Sequence, residues 1–381
     1  MSTFGELTAP KVEQIGPSGD GEFVYVDISS IDNQAKRIVD PKRLTPEAAP
    51  SRARQRLRKG DVLVSMTRPN LNAVAIVPSD LDGAIGSTGF HVLRANEDVE
   101  PHWLYYAVQS SSFVKAMCDL VQGALYPAVR PKDIREYAIS PPPLAKQREI
   151  VAELEKQFSR LDEAVTNLQR VKANLKRYER ATIQSLTNPE SFAPAVTGSI
   201  ADIAISLDNM RKPVNKTERA KRPGNIPYLG ANGPTGTIDK PLFDEELVLV
   251  VEDETFVGRT APFSYYFSGK CWVNNHTHVL RARPNVTLAK YLNLALSYYP
   301  FTPLTTGSTG RRKLTKAALM TAPICVPSLA DQTRVVAEVD RHLSIIREVE
   351  TEVEANLQRA QALRQATLAA AFGPNSKPYQ P

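Results

Sequence analysis

The sequence predicts an α+β protein with two globular domains, each followed by one long helix. Residues 142–189 align without a gap to residues 327–374 at an offset of 185, and 13 of the 48 positions are identical. Apart from their ends, both stretches lack Gly and Pro and repeat apolar residues in steps of three and four. Short β-like runs between turn residues, such as 62–65 and 247–251, lie upstream of each stretch. A repeat longer than the roughly 20–50 residues of a solenoid unit indicates two whole modules.

The repeated stretches are predicted to be amphipathic helices that pair as an antiparallel coiled coil. At about 1.5 Å per residue, each is a rod of roughly 60 Å. A rod with one apolar stripe needs a partner stripe in water, and the other copy supplies one, giving a pseudo-two-fold axis. The alternative is that each helix binds its own module or a separate chain. The residues expected at the coiled-coil seam are Ile150, Leu154, Phe158, Leu161, Val165, Leu168, Val335, Val339, Leu343, Ile346, Val353 and Leu357.

The globular segments read as mixed helix and strand. Helices are predicted over 101–114 and 288–298, and the two segments match each other far less well than the helices do. This pattern favours one scaffold that carries two different surfaces. The predicted domains are a globular domain over 1–143, a helical spacer over 144–187, a second globular domain over 188–326, a second helical spacer over 327–373 and a flexible tail over 374–381.

Charge is unevenly spread along the chain, whose net charge is +6. Residues 1–143 carry 16 Lys/Arg against 17 Asp/Glu, whereas residues 187–326 carry 16 against 11. The three cysteines show no paired spacing, so neither a disulfide framework nor a zinc site is predicted. Because no apolar signal core or membrane-length run is present, we expect a cytoplasmic protein without a membrane segment.

The motifs of common catalytic sites are missing from the sequence. Neither a G-x-x-x-x-G-K-[ST] loop nor a G-x-S-x-G elbow occurs, nor does the Asn/Asp-Pro-Pro-Tyr/Phe motif of amino-methyltransferases. The glycine-rich stretch 230–236 is interpreted as a plain loop, and the 276–278 His-Thr-His run lacks a third metal ligand nearby. The acidic run 252–254 beside Arg259 is interpreted as a turn rather than a nuclease cluster. We therefore predict a binding function with no catalytic and no metal-binding residues.

A specific motif opens each long helix. Residues 142–150 read Pro-Pro-Leu-Ala-Lys-Gln-Arg-Glu-Ile, and residues 327–335 repeat the pattern with Ser328 in place of the second proline. With this Pro-Pro-Leu-x-x-Gln-x-x-Ile motif, the chain resembles the specificity subunits of type I restriction–modification systems. Segments 50–55, 60–63, 87–90 and 274–280 are also family-like, so the resemblance covers essentially the whole chain.

The resemblance implies a DNA-specificity subunit with two target-recognition domains. Each domain would read one half of a split, asymmetric site in double-stranded DNA, and the helices would set the gap between the halves. Two methylation subunits would bind the chain and supply the S-adenosylmethionine chemistry, so no cofactor is expected on this chain. Restriction/translocase subunits would complete the complex. The alternatives are a coiled-coil scaffold that does not bind DNA and a specificity-like subunit of another defence system.

Candidate DNA contacts lie in basic strips and loops. One strip spans residues 52–59, and a basic glycine-containing loop ends each module, at 123–130 and 307–313. For any one of these residues, a surface position without a DNA role is the alternative. The residues expected at phosphates or grooves are Arg52, Arg54, Arg68, Arg130, Lys132, Arg211, Lys212, Arg259, Arg311, Arg312 and Lys313; those expected at base edges or in stacking are Asn70, Tyr126, Asn232 and Thr309.

Overall fold

A computed structural model describes residues 1–19, 21–121, 123, 125–192, 196–254, 256–307 and 312–373. The chain forms two compact units, unit 1 (Met1–Leu168 with Ala355–Pro381) and unit 2 (Gln169–Glu354). The predicted tail, and the candidate contacts Thr309 and Arg311, lie outside the described residues. No helix in the described part of the chain has the length and apolar composition needed to cross a bilayer.

Unit 1 is built on two small sheets covered by short helices. One sheet has the strand order β10-β7-β8, and the other has the order β5-β2-β9-β6. Its strands are β1 (Ser2–Thr3), β2 (Phe23–Val26), β3 (Ile31–Asp32), β4 (Arg37–Ile38), β5 (Lys42–Leu44), β6 (Ala53–Arg56), β7 (Val62–Ser65), β8 (Val74–Ile76), β9 (Ile85–Ser87), β10 (Phe90–Leu93) and β11 (Ala138–Ile139), and its short helices are α1 (Phe4–Leu7), α2 (Pro101–Ala107), α3 (Ser111–Asp119) and α4 (Pro131–Arg135).

Unit 2 contains a larger sheet of six strands in the order β13-β19-β16-β18-β14-β15. The helix α8 contacts β16 and β18 of this sheet. The strands are β12 (Val196–Ser199), β13 (Ala204–Ser206), β14 (Ile226–Gly230), β15 (Gly233–Ile238), β16 (Phe243–Val251), β17 (Asp253–Glu254), β18 (Ser264–Val273), β19 (Thr277–Ala282), β20 (Arg312–Lys313) and β21 (Pro323–Val326), and the short helices are α6 (Ile200–Ile203), α7 (Lys216–Ala220), α8 (Ala289–Ser297) and α9 (Lys316–Thr321).

A pair of antiparallel strands recurs in both units. In unit 1, β7 pairs with β10, placing Leu63 opposite Val92. In unit 2, β16 pairs with β19, placing Leu249 opposite Val279. All four side chains are buried. The two modules therefore share a central strand pair.

Two sequence predictions about local structure are wrong. The predicted single helix over 101–114 is two helices, because the chain leaves helical geometry at Ser110, whose side chain caps α3 by accepting a hydrogen bond from the N–H of Phe113. The predicted plain loop over 230–236 is mostly part of the hairpin formed by β14 and β15. Its glycines permit the tight turn, since Gly233 has a φ of 111°.

The two long helices, α5 (Leu144–Leu186) and α10 (Leu329–Phe372), contact each other in both units. In unit 1, Arg364 forms an ion pair with Asp162 at 2.8 Å. In unit 2, Lys172 pairs with Glu354 at 2.8 Å, and the hydroxyl of Tyr178 lies 3.1 Å from Nδ1 of His342. Lys172 comes before Tyr178 on α5, whereas its partner Glu354 comes after His342 on α10. The helices therefore run antiparallel in unit 2, as predicted.

The helices also pack on the globular parts. In unit 1, Leu154 and Phe158 join the same core cluster as Trp103 and Leu368. In unit 2, Val335 and Val339 pack with Tyr291. Both options weighed from the sequence, helix on helix and helix on module, therefore occur together. The twelve predicted seam residues are all buried or half-buried.

Candidate nucleic-acid interface

In unit 1, the loop joining β7 to β8 meets the loop that precedes α4. The N–H of Arg68 donates to the carbonyl of Pro127 at 2.8 Å, and an isolated β-bridge pairs Thr67 with Ala128. Arg68 sits in the left-handed region at φ 50°, which turns the chain sharply at this point. The structure thus brings together three predicted contacts, all of them exposed: Arg68, Asn70 and Tyr126.

A cleft of about 600 Å³ lies beside these loops. It is lined by the turn 28–33, the loop 67–73 and the segment 125–128. Leu125 and Tyr126 are 87% and 84% exposed, which is unusual for two adjacent large apolar residues. Because the tips of both loops are held by backbone hydrogen bonds, the Tyr126 ring is available for stacking on a base.

Arg130 and Lys132 stand at the start of α4, where acidic neighbours offset their charge. The Arg130 guanidinium makes two hydrogen bonds to Asp133, at 2.8 and 3.2 Å, yet remains 76% exposed. These bonds lower the pKa of the Asp133 carboxyl. Lys132 lies 3.5 Å from Glu136. Both cations remain on the surface, so a phosphate would compete with these carboxylates.

The basic strip at 52–59 includes β6, the last strand of its sheet, and extends past both ends of that strand. Ala53, Gln55 and Leu57 alternate inward, and Gln55 donates to the carbonyls of Ser87 and Phe90. The alternation of a strand explains why every second residue is a cation. Residues 13–15 pair with the outer edge of β6, since the N–H of Ile15 donates to the carbonyl of Arg54 at 2.7 Å and the N–H of Arg56 to that of Glu13 at 3.0 Å. The exposed members are Arg52, Arg54, Arg56, Arg58 and Lys59.

Unit 2 repeats the loop pair of unit 1. The short strand β17 pairs with β20, so that Asp253 lies opposite Lys313. The N–H of Leu314 donates to the carbonyl of Glu252 at 2.8 Å, as the N–H of Val129 does to Met66 in unit 1. The two modules therefore support corresponding loops, which carry different side chains, in the same way.

Arg211 lies at the base of these loops and is engaged by the protein itself. Its Nη1 is 2.5 Å from a carboxylate oxygen of Glu252 and 2.8 Å from the carbonyl of Thr277. The side chain is only 14% exposed. Lys313 binds the other oxygen of Glu252 at 3.1 Å. Burial alone would raise the pKa of Glu252, but Arg211, the charge of His278 and Lys313 outweigh it and hold that pKa below its usual range.

His278 joins the same buried cluster. Its Nδ1 is 2.6 Å from Asp208 and its Nε2 is 2.8 Å from the carbonyl of Leu314, at the end of the basic loop. The ring therefore links Asp208 to the end of the basic loop. Burial would raise the pKa of Asp208, but the bond from His278 and three smaller interactions lower it. No group of three or more metal-ligating side chains occurs among the described residues.

Asn232 and Arg259 are brought together from different segments. Nη2 of Arg259 donates to the side-chain oxygen of Asn232 at 2.6 Å and to the carbonyl of Pro262 at 2.8 Å. Arg259 thus pairs with a side-chain amide and a backbone carbonyl. Arg312 is held through Thr305, and Lys212 is exposed, with its carbonyl accepting from the Trp272 indole.

The glutamine of each helix-opening motif has a definite structural role. Gln147 is buried, accepts from the N–H of Glu100 at 2.9 Å and donates to the carbonyl of Pro142 at 2.8 Å. Gln332 is fully buried and makes the corresponding bonds to Leu288 and Pro327. Each glutamine ties the start of a long helix to the start of a short helix in the module before it.

Sequence reasoning missed a further set of cations in unit 2. They lie on α7 and just after it, just after β15 and on β18, and of the cations beside them Arg211 and Lys212 were predicted. A count of charges in a short window is the signal that finds them. They are Lys216, Arg219, Lys221, Arg222, Lys240 and Lys270.

Both modules match one family model. Residues 14–176 and 195–359 each match the type I restriction modification DNA specificity domain. The chain belongs to this family. The resemblance seen in the helix-opening motifs is thereby confirmed, because the matched stretches cover most of the chain and include both motifs.

Known proteins of this family are similar over different extents. A Haemophilus influenzae protein described as a type I restriction enzyme specificity subunit, S.HindORF215P, is 35% identical over 142 residues, which is 36% of this chain. The match spans only 35% of the length of that relative.

Two solved structures are similar over nearly the whole chain. One, from a study of complex assembly and conformational transition of the type I restriction–modification system, is 28% identical with a TM-score of 0.75 and covers 98% of this chain and 97% of that one. The HsdS subunit from Thermoanaerobacter tengcongensis is 27% identical with a TM-score of 0.53, over 98% and 96%. The predicted two-domain α+β fold of a specificity subunit is confirmed.

Proposed function

We propose that this chain is the DNA-specificity subunit of a type I restriction–modification complex. Each unit would read one half of a bipartite, asymmetric site in double-stranded DNA through its loop pair. The supporting observation is that both modules hold the same two loops by corresponding backbone bonds, Arg68 and Val129 in one and Leu314 in the other, while the side chains differ. One scaffold with two sets of side chains is what two different half-sites require.

The long helices would set the distance between the half-sites and bind two methylation subunits. A stiff connection is supported by the ion pair between α5 and α10 in each unit. It is also supported by the hydrogen bonds that Gln147 and Gln332 make to the modules. Several large apolar side chains remain exposed on the helices, which suits a protein partner better than water. They are Val171, Tyr178, Ile345, Val349 and Leu363.

The chain itself would be non-catalytic and bind no cofactor. The methylation subunits would bind S-adenosylmethionine and transfer its methyl group, and restriction/translocase subunits would complete the complex in the cytoplasm. The contribution of this chain is geometric, since it would place the target base of each half-site before a methylation subunit. Phosphate contacts would position the units, and contacts to base edges would select the sequence.

Methylation-aware sequencing tests this function. DNA from cells that express the chain with its methylation subunits should carry methyl groups in one shared two-part motif with a fixed gap. An insertion of one helical turn, about four residues, in both α5 and α10 should lengthen that gap and leave both half-site sequences unchanged. Methylation without any shared motif would refute the proposal.

A further inference from the structure

The excess positive charge of the second module is concentrated in one segment. Residues 211–240 carry seven Lys/Arg against two Asp/Glu. Since residues 187–326 carry 16 against 11, the remainder of that module is balanced at nine against nine. In unit 1 a comparable excess lies in residues 36–65, which carry nine against three.

This segment folds as a small lobe with its own core. Val214, Tyr228, Ile238 and Trp272 are buried together. The Tyr228 hydroxyl donates to the carbonyl of Val214 at 3.0 Å, and the Trp272 indole N–H donates to the carbonyl of Lys212 at 2.8 Å. The backbone under the charges is therefore fixed, which reduces the entropy lost when a ligand binds.

Two arginines of the lobe pack against its own aromatic rings. The guanidinium of Arg219 lies 4.3 Å from the centre of the Tyr228 ring, and that of Arg222 lies 4.7 Å from the centre of the Trp272 ring. Arg222 also pairs with Asp239 at 2.7 Å. Both arginines are half-buried, so they support the lobe rather than project from it.

The lysines of the lobe are exposed to solvent. Lys270 projects from the same face of β18 as Trp272, because the two are separated by one residue in the strand. None of the lobe's lysines forms an ion pair with any residue that the structure describes. The exposed set is Lys212, Lys216, Lys221, Lys240 and Lys270.

We infer that this lysine lobe binds the sugar–phosphate backbone of duplex DNA just outside the half-site that unit 2 reads. The inference rests on the proposed function. Lysine presents a point charge on a flexible stem, which suits phosphates but does not read base edges bidentately. The arginines that could read guanine are stacked and paired.

Salt dependence of binding tests the lobe. The variant Lys216→Ser/Lys221→Ser/Lys240→Ser, in the full chain assembled with its methylation subunits, should lower the slope of log affinity against log salt by about 3, roughly one per lost phosphate contact. The control Lys11→Ser/Lys115→Ser/Lys316→Ser removes the same charge from exposed positions elsewhere. An equal loss of slope in both variants, or none in either, would overturn the inference.

Trimming the duplex tests where the lobe binds. Starting from a duplex that carries the methylated two-part motif with long flanks, removal of the flank beside the half-site that unit 2 reads should weaken binding by the unaltered complex, and the lysine variant should lose this effect. An equal loss of binding in the unaltered complex and in the lysine variant would overturn the inference while leaving the proposed function intact. If the unaltered complex does not prefer this duplex to a scrambled one, the proposed function itself fails. If the lysine variant loses its binding to a single-stranded RNA and keeps its binding to the duplex, the partner of the lobe is RNA.

Discussion

Gln332 fixes the start of α8 through Leu288. Its side-chain oxygen accepts from the N–H of Leu288 at 2.8 Å, and its amide nitrogen donates to the carbonyls of Val286 and Pro327 at 2.9 and 3.0 Å. One fully buried side chain thus satisfies groups from both the module and the helix-opening motif. This explains why a glutamine stands at the corresponding place in both repeats.

Replacing Gln332 with alanine should destabilise unit 2. The change leaves the Leu288 N–H and two carbonyls buried without partners, which costs about 2–3 kcal/mol of the free energy of unfolding. Urea denaturation followed by tryptophan fluorescence measures this loss. Gln358→Ala, an exposed glutamine on the same helix, is the matched control and should change stability by less than about 0.5 kcal/mol. Similar losses in both variants would contradict the role assigned to Gln332.

Arg211→Ala should mainly lower the stability of unit 2, and its effect on DNA binding should be smaller. It leaves Glu252 paired only with the exposed Lys313, and breaking such a largely buried pair costs about 3–5 kcal/mol. Lys212→Ala, one residue along, should leave stability unchanged. Thermal unfolding of the two variants checks this difference. If Arg211→Ala unfolds normally and only weakens DNA binding, its guanidinium contacts DNA instead.

His91 should make stability depend on pH. Burial and the nearby Arg135 lower the pKa of its imidazole to about 4, so the folded protein keeps it neutral. The unfolded chain takes up a proton below its ordinary pKa of 6.5. Stability is therefore full above pH 6.5 and falls as the pH drops towards 4, by about 2 kcal/mol at pH 5. In His91→Phe this share of the pH dependence should vanish; equal slopes in the two proteins would contradict the prediction.

Arg311→Ala with Arg312→Ala should weaken DNA binding by the assembled methyltransferase and flatten its salt dependence. Two phosphate contacts account for about 2 units of the salt slope. Lys11→Ala with Lys316→Ala removes the same charge from exposed positions outside the loop and serves as control. Unchanged affinity and slope in the first variant would show that this loop does not touch DNA.

The repeated helices could be predicted closely because their signal is local. The step of three and four residues over 144–186 and 329–372 depends only on neighbours along the chain. The core strand at 62–65 was equally visible as a short β-like run, and the structure has it with these bounds.

The candidate site could be predicted only in part, because partners distant in sequence decide what a charge does. Nothing near Arg211 shows that Glu252, 41 residues away, will occupy its guanidinium. Likewise, His91 and His278 lie on corresponding strands of the two modules, β10 and β19, but one has an unpartnered ring nitrogen and the other faces two acceptors. The lobe at 211–240 was visible in the sequence as a charge excess, but its aromatic supports were not.

Unit 1 combines an N-terminal and a C-terminal segment of the chain, which has a consequence for its synthesis. Leu368 and Phe372 belong with Trp103 in the core of the first module, although some 260 residues separate them in the sequence. While the ribosome translates the entire second module, the apolar surface around Trp103 stays exposed. The first module to emerge is therefore completed last, and a nascent chain stopped before residue 355 presents its unfinished core to chaperones and proteases.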